Sequence, residues 1–284
     1  MQSDRWSDTG VDLPEKDLAE LERAYQLLEH PSFAARLSSV IGDPIEQALH
    51  LMPKSWYRKI DEAAERSISG MLDLTINGMT QISPDASNDP LHRVLVMGTG
   101  AVGGFFGPAL LLAELPVTTA LMLRSIADIA HSQGEDMSSD DAKLACIQVF
   151  AFGGRTKEDT AADTGYYGLR VTLGLHFSHR LVQFKTPSKA PIPAGINLVR
   201  AIASRFGVII SDKIAAQMVP FAGAFSGALL NLVFMKHFQD MAKGHFIVRR
   251  LERMHGAEKI RQAYENIGQY EAKPKPNFSP LEGW

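Results

Sequence analysis

The sequence predicts an all-α protein, a multi-helix bundle with two central glycine-rich apolar helices. Three observations predict it. Apolar residues recur at helical spacing along most of the chain, and only one short stretch alternates as a strand would. Helix-starting residues and terminating glycines punctuate those periodic runs. Two segments, 94–113 (VLVMGTGAVGGFFGPALLLA) and 214–235 (IAAQMVPFAGAFSGALLNLVFM), carry no charge and are studded with glycine. Each is long enough to cross a lipid core of about 30 Å or to lie against it.

The elements follow in order. Residues 1–13 read as a polar lead-in. A helix opens at Pro14, with Leu18, Leu21, Tyr25 and Leu28 on one face and Glu15, Asp17 and Glu20 where the helix dipole favours acids. Pro31 interrupts it, and Ser32 caps a short helix reaching Gly42. Asp43-Pro44, a cap followed by proline at the first helical position, opens another that ends near Met52-Pro53. Lys54 to Met79 reads as a longer helix burying Ile60, Ala64, Ile68, Met71, Leu72 and Ile76. Residues 83–90 (SPDASNDP) form the clearest linker. They divide a helical lead-in, 14–82, from a core, 91–266; a proline-rich tail, 267–284, follows.

Within the core, Pro116 starts a helix that ends at Gly134. Ser139-Asp140-Asp141 starts another, which runs to Phe152 and stops at Gly153-Gly154. Residues 166–182 alternate weakly and fit helix or strand. A helix spans Ile196 to Ile210. After the second apolar segment a basic helix runs from Lys236 to about Asn266.

Composition bounds the function. The 284 residues are 45% hydrophobic and 21% charged, enough apolar material for a core. The net charge of −3 gives no nucleic-acid signal. The single cysteine, Cys146, lies in an apolar run (LACIQVF), which predicts a buried, inert thiol, no intrachain disulfide and a reducing cytoplasm. The opening MQSDRWSDTG has no apolar core of a secretory signal.

Gly98, Gly100 and Gly103 satisfy G-x-G-x-x-G, the outline of a dinucleotide-binding turn. The context opposes it: Pro108 cuts short the phosphate helix, Glu114 comes too early for the ribose acid, and no βαβα pattern follows. Helix packing is the better use of the glycines. Gly100 and Gly104, Gly103 and Gly107, and Gly223 and Gly227 are each four residues apart, a spacing that strips one helix face and admits a neighbour. Such helices suit a membrane or the centre of a soluble bundle. Thr99, Gln217, Asn231, Pro108 and Pro220 favour a kinked hairpin in one leaflet over a full crossing.

The second segment runs directly into Lys236, Lys243, Arg249, Arg250, Arg253, Lys259 and Arg261, against only Asp240, Glu252 and Glu258. Basic residues beside an apolar segment favour the cytoplasmic side and anionic head groups. Phe238, Met241, Phe246, Ile247 and Leu251 give that helix an apolar face. Asp128-x-x-His131 and Glu252-x-x-His255 have the spacing of a carboxylate/His metal site, for which Glu114 and Glu65 are the further candidate ligands. His176 and His179 share the spacing without a nearby carboxylate. No G-x-S-x-G, phosphate-loop or H-E-x-x-H pattern occurs.

Two long strings carry a family resemblance. GAVGGFFGPALLLAELPVTTALMLRSIADIAHSQGED (100–136) and VPFAGAFSGALLNLVFMKHFQDMAKGHFIVRRLERMHG (219–256) closely resemble the EcsC family of bacterial proteins. The second contains P-x-x-G-A-x-x-G-x-x-x-N and ends in H-F-x-x-R-R-L-E-R. The resemblance extends over roughly residues 20–265 and includes Gly42-Asp43-Pro44 and Leu51-Met52-Pro53. It implies a helical fold and a membrane-linked accessory role beside an ABC-type transporter, and it carries no catalytic residues with it.

The resulting expectation is a cytoplasmic protein on the inner face of the cell membrane. Gly100, Gly103, Gly104, Gly107, Gly223 and Gly227 let the two apolar helices meet. Lys236, Lys243, Arg249, Arg250 and Arg253 contact membrane lipids or a membrane protein. The alternatives are a helical metalloenzyme using Asp128, His131, Glu252 and His255, and a soluble helical scaffold or homo-oligomer with no cofactor.

Overall fold

In the computed structural model the described residues are 12–29, 33, 37, 49–77, 108–154, 165–181, 193–218 and 224–272. Among them there are helices and turns and no strand. The expected all-α bundle is therefore present. Its helices are α1 (Glu15–Glu29), α2 (Lys54–Asn77), α3 (Pro108–Ser132), α4 (Asp140–Gln148), α5 (Tyr166–Leu181), α6 (Pro193–Met218), α7 (Ala224–His255) and α8 (Ala257–Ala272). A 3₁₀ turn, Val149–Ala151, continues α4. Of residues 166–182, legible as helix or strand, Tyr166–Leu181 are helical and residue 182 lies outside the described residues.

The helix boundaries have local causes. Ser139 Oγ accepts from the Ala142 N–H at 3.1 Å, and Asp140 and Asp141 occupy the first turn of α4. At the end of α3, Gly134 has φ 78°; its N–H bonds the His131 carbonyl, and the Glu135 N–H bonds the Ala130 carbonyl. This pair closes a Schellman cap. Gly256, at φ 93°, ends α7 with one bond to the Glu252 carbonyl, so the expected single basic helix is two helices with a corner between them.

Two further boundaries differ from expectation. α3 begins at Pro108 and runs through Pro116, whereas the sequence suggested a start at Pro116. Proline is harmless at a first helical position. At Pro116 one backbone bond is forgone, yet Leu115, Thr118, Thr119 and Met122 are buried on the core side, and packing outweighs the local cost. The second apolar segment is not one helix. It is shared between the end of α6 and the start of α7, which run antiparallel: Phe206 lies against Phe238 (5.6 Å) and, further along α6, Lys213 lies over the Phe234 ring (4.2 Å). Among the described residues no helix is long and apolar enough to cross a membrane.

α7 is the axis of the bundle. Its 32 residues span about 48 Å, and it touches α1, α3, α6, α8 and the 3₁₀ turn. The core is aromatic at its centre, where Phe150, Phe206, Phe234 and Phe238 stack with ring centroids 5.1–6.2 Å apart. Around it α2 buries Ile60, Ala64, Ile68, Met71 and Leu72, as its periodicity predicts.

The glycines Gly98, Gly100, Gly103, Gly104, Gly107 and Gly223 lie outside the described residues, and so does the surrounding of Gly227. Close helix packing does occur, at a glycine the sequence reading did not single out. A Cβ on Gly244 of α7 would come within 2.7 Å of Leu28 Cγ and 3.2 Å of the Ala24 carbonyl oxygen of α1.

Candidate functional site

The helix directions define two ends of the bundle, and exposed apolar side chains occur towards both, Val171 and Met254 among them at the far one. α3 and α7 run parallel: Gln239 Nε2 donates to Ser125 Oγ (2.9 Å), and ten residues further along each helix line Arg249 meets Glu135. α6 opposes α7, and α2 opposes α6, since Arg200 meets Glu65 (3.5 Å) and Gly207 lies against Ile60 and Asp61. Consequently α2, α3 and α7 all start at one end. α1 opposes α7, with Gly244 against Leu28, Arg250 against Glu20 and His255 against Asp17.

The far end, where α7 finishes, holds a buried polar network. Arg170 of α5 grips Glu252 of α7 with two bonds of 2.7 Å, and Tyr167 Oη donates to the same carboxylate at 2.9 Å. Tyr166 Oη lies 2.8 Å from Nδ1 of fully buried His245 and accepts from Arg170 at 3.4 Å. His245 Nε2 has no hydrogen-bond partner among the described residues. Glu29, at the end of α1, accepts from the Tyr166 N–H (2.8 Å) and from Tyr264 Oη (3.1 Å). It thereby serves as the acid at the start of α5.

A second cluster joins α7 to the α3–α4 corner. Glu135 accepts two bonds from Arg249 (2.8 and 3.0 Å) and one from Arg253, and Arg249 also bonds Asp141 (2.7 Å). Burial alone would raise the Glu135 pKa, but the two guanidinium groups hold it below the usual carboxylate range. Burial, aided by Arg170 and Arg249, pushes His245 well below the usual histidine range. The Cys146 thiol is buried and pushed up strongly by burial, as its apolar surroundings predict.

These shifts fix a pH dependence. A histidine whose folded pKa is depressed stays neutral in the native state while the unfolded chain takes up a proton below pH ~6.5. Stability is therefore full above that value and falls as pH drops below it, by about 1.4 kcal/mol per pH unit from His245. Glu135 adds a second loss as pH falls through the ordinary carboxylate range. Urea midpoints measured from pH 8 to pH 4 should be flat, then decline in two stages, and His245→Phe should remove the first. An unchanged first stage in that variant would assign it elsewhere.

Four basic residues of α7 are thus engaged in the protein's own ion pairs. Arg249, Arg250 and Arg253 are committed to Glu135, Asp141 and Glu20, and Lys236 to Asp240 at 3.1 Å. Lys243 is exposed on the same helix. The four metal-ligand candidates are not brought together. Glu252 bonds Arg170, His255 bonds Asp17 (2.7 Å), His131 is exposed on α3, and Asp128 is one turn before it. Among the described residues no three His, Cys, Asp or Glu side chains are placed to hold an ion. The spacing was correct on each helix, but the opposing partners came from α1 and α5. Glu65 faces Arg200, while the side chains of Glu114, His176 and His179 lie outside the described set. Sequence reasoning missed Tyr166, Tyr167 and Arg170, whose only signal was an arginine and paired tyrosines in an otherwise apolar run.

The near end, where α2, α3 and α7 start, is the candidate functional surface. Large apolar side chains are exposed there: Leu51 just before α2 (77%), Val117 of α3 (56%), and Leu229 and Leu232 of α7 (41% and 37%). The α3–α7 register puts Val117 level with Asn231, between those two leucines. The chain enters α3 and α7 at this same end, directly from the glycine-rich residues before Pro108 and Ala224. Near Leu51 stand Lys54, Trp56, Tyr57, Arg58 and Lys59.

Neither the curated proteins nor the solved structures offer a match to this chain. The sequence pattern of the EcsC protein family matches residues 15–251. That span holds nearly all of the parallel α3–α7 pair, both exposed apolar starts, the Arg249–Glu135 pair and Arg170, and it stops one residue short of Glu252. The chain belongs to the EcsC protein family.

Proposed function

We propose that this protein is an accessory protein of the inner face of the cell membrane, which rests the near end of its bundle on the lipid surface and meets a membrane partner there. One observation carries the reading: three helices start at one end, beside four exposed apolar side chains and the junctions with both glycine-rich segments. Covering such side chains contributes about 1–2 kcal/mol each, and their gathering at one end suits an interaction surface. The attachment is one of surface contact, made by one end of the molecule. Arg249 and Arg253 lie about 30 Å along α7 from Leu229 and Leu232, so they stand away from a bilayer that the near end meets end-on.

Flotation with phosphatidylglycerol-containing liposomes tests the reading. The wild-type protein should rise with the vesicles, and Leu229→Asp/Leu232→Asp should stay at the bottom. A wild-type protein that remains at the bottom at low and high salt would end the proposal. The same apolar end also suits a second copy of the chain, the scaffold alternative. A stable dimer in lipid-free solution, dissociated by the same two substitutions, would favour that reading.

A further inference from the structure

The near end has a polar rim as well as an apolar centre. α2 opens with Lys54-Ser55-Trp56-Tyr57-Arg58-Lys59 and has no acid in its first turn, where the helix dipole would welcome one. Lys54, Arg58 and Lys59 are exposed, and so is Tyr57. Trp56 packs one side of its ring on the core, while the Lys59 ammonium lies 5.3 Å from the ring centroid. The Tyr57 hydroxyl bonds the Leu49 carbonyl at 3.2 Å, tying the exposed turn that carries Leu51 to the helix. Paired Trp and Tyr with flanking cations, next to an outward leucine, is the side-chain set that favours the boundary between hydrocarbon and head groups.

From this juxtaposition we infer that the start of α2 is the head-group site of the molecule, and that its ligand is the anionic phosphate of a phospholipid surface. The inference rests on the membrane reading above and names its specificity. Charge complementarity selects the occupant. The three cations face outward in a turn without acids, whereas the arginines of α7, the obvious candidates from sequence, are already neutralised by Glu135, Asp141 and Glu20. Asp61 and Glu62 follow one turn later. Glu62 lies 3.8 Å from Arg58, a solvent-exposed pair that an anionic surface can replace. Leu51 enters the apolar layer, Trp56 and Tyr57 sit at its boundary, and the cations meet phosphate.

The test uses the full-length protein and two vesicle types, pure phosphatidylcholine and phosphatidylcholine mixed with phosphatidylglycerol. Each cation near an anionic surface is worth about a fivefold factor in partitioning. Lys54→Gln/Arg58→Gln/Lys59→Gln should therefore weaken binding to mixed vesicles by on the order of a hundredfold. Its binding to pure phosphatidylcholine and its thermal midpoint should stay unchanged. In a Trp6→Phe/Trp284→Phe background, Trp56 emission should shift to the blue on mixed vesicles and be quenched by shallow lipid-borne quenchers. A triple variant that binds mixed vesicles as well as wild type would overturn this inference and leave attachment by the apolar end standing. A wild-type protein that binds neither vesicle would remove both.

Discussion

Glu252→Ala should destabilise the fold by about 3–5 kcal/mol, which for a chain of this size lowers the thermal midpoint by roughly 6–15 °C. The loss comes from orphaned partners. Glu252 is 10% exposed and Arg170 is 22% exposed, so the guanidinium loses both 2.7 Å bonds without gaining bulk water in return. Tyr167 loses its acceptor in the same step, and its hydroxyl is held far from ionisation by burial. Tyr166 and His245 are disturbed in turn, because Arg170 also bonds the Tyr166 hydroxyl that contacts His245. Removing both charges is a different experiment. Arg170→Met/Glu252→Leu takes away the pair and the desolvation cost together, and should recover most of the loss. Thermal or urea unfolding of the two variants decides the matter. A double variant as unstable as Glu252→Ala would mean that packing volume, not the buried charge, is what the pair supplies.

The same comparison shows what the sequence could and could not reveal. Helix existence was readable because it depends on neighbours a few residues apart. Ile60, Ala64, Ile68, Met71 and Leu72 line one face of α2, Ser139 caps α4, and Gly134 and Gly153 close their turns in the left-handed region. Pro116 misled because its local penalty is visible in sequence, while the burial of Leu115 and Thr119 that offsets it depends on α3 meeting α2 and α7. The ion pairs of the basic run after Met235 were hidden for a similar reason. A charge count along the chain gives the sign of Arg249, Arg250 and Arg253, but their partners Glu135 and Glu20 are more than a hundred residues away. The apolar end had two legible halves, Val94–Ala113 and Ile214–Met235. That they lead into parallel helices at one end is a property of topology, set by the register of Gln239 on Ser125.

Two glycine-to-alanine substitutions should move stability in opposite directions. Gly70 sits in the exposed interior of α2, and a Cβ there meets nothing within 4 Å. Gly70→Ala keeps the helix and narrows the unfolded ensemble, so it should stabilise by about 0.5–1 kcal/mol. Gly154 is the opposite case. It follows the 3₁₀ turn, and a Cβ there would overlap the backbone carbonyl of Arg205 on α6, with the carbonyl carbon 2.9 Å away and Ile209 Cγ1 at 3.3 Å. No rotamer relieves that contact, because the obstacle is main chain. α6 must retreat from the turn, and the Phe150–Phe206 edge contact (5.3 Å) and the stack onto Phe234 and Phe238 open with it. Loss of packing on that scale places Gly154→Ala beyond about 3 kcal/mol. Near-ultraviolet circular dichroism should show it first as a loss of aromatic signal while helix content persists. A Gly154→Ala protein with the wild-type midpoint would mean that α6 and the turn are not in contact at Arg205, and that the aromatic centre is held by α7 alone.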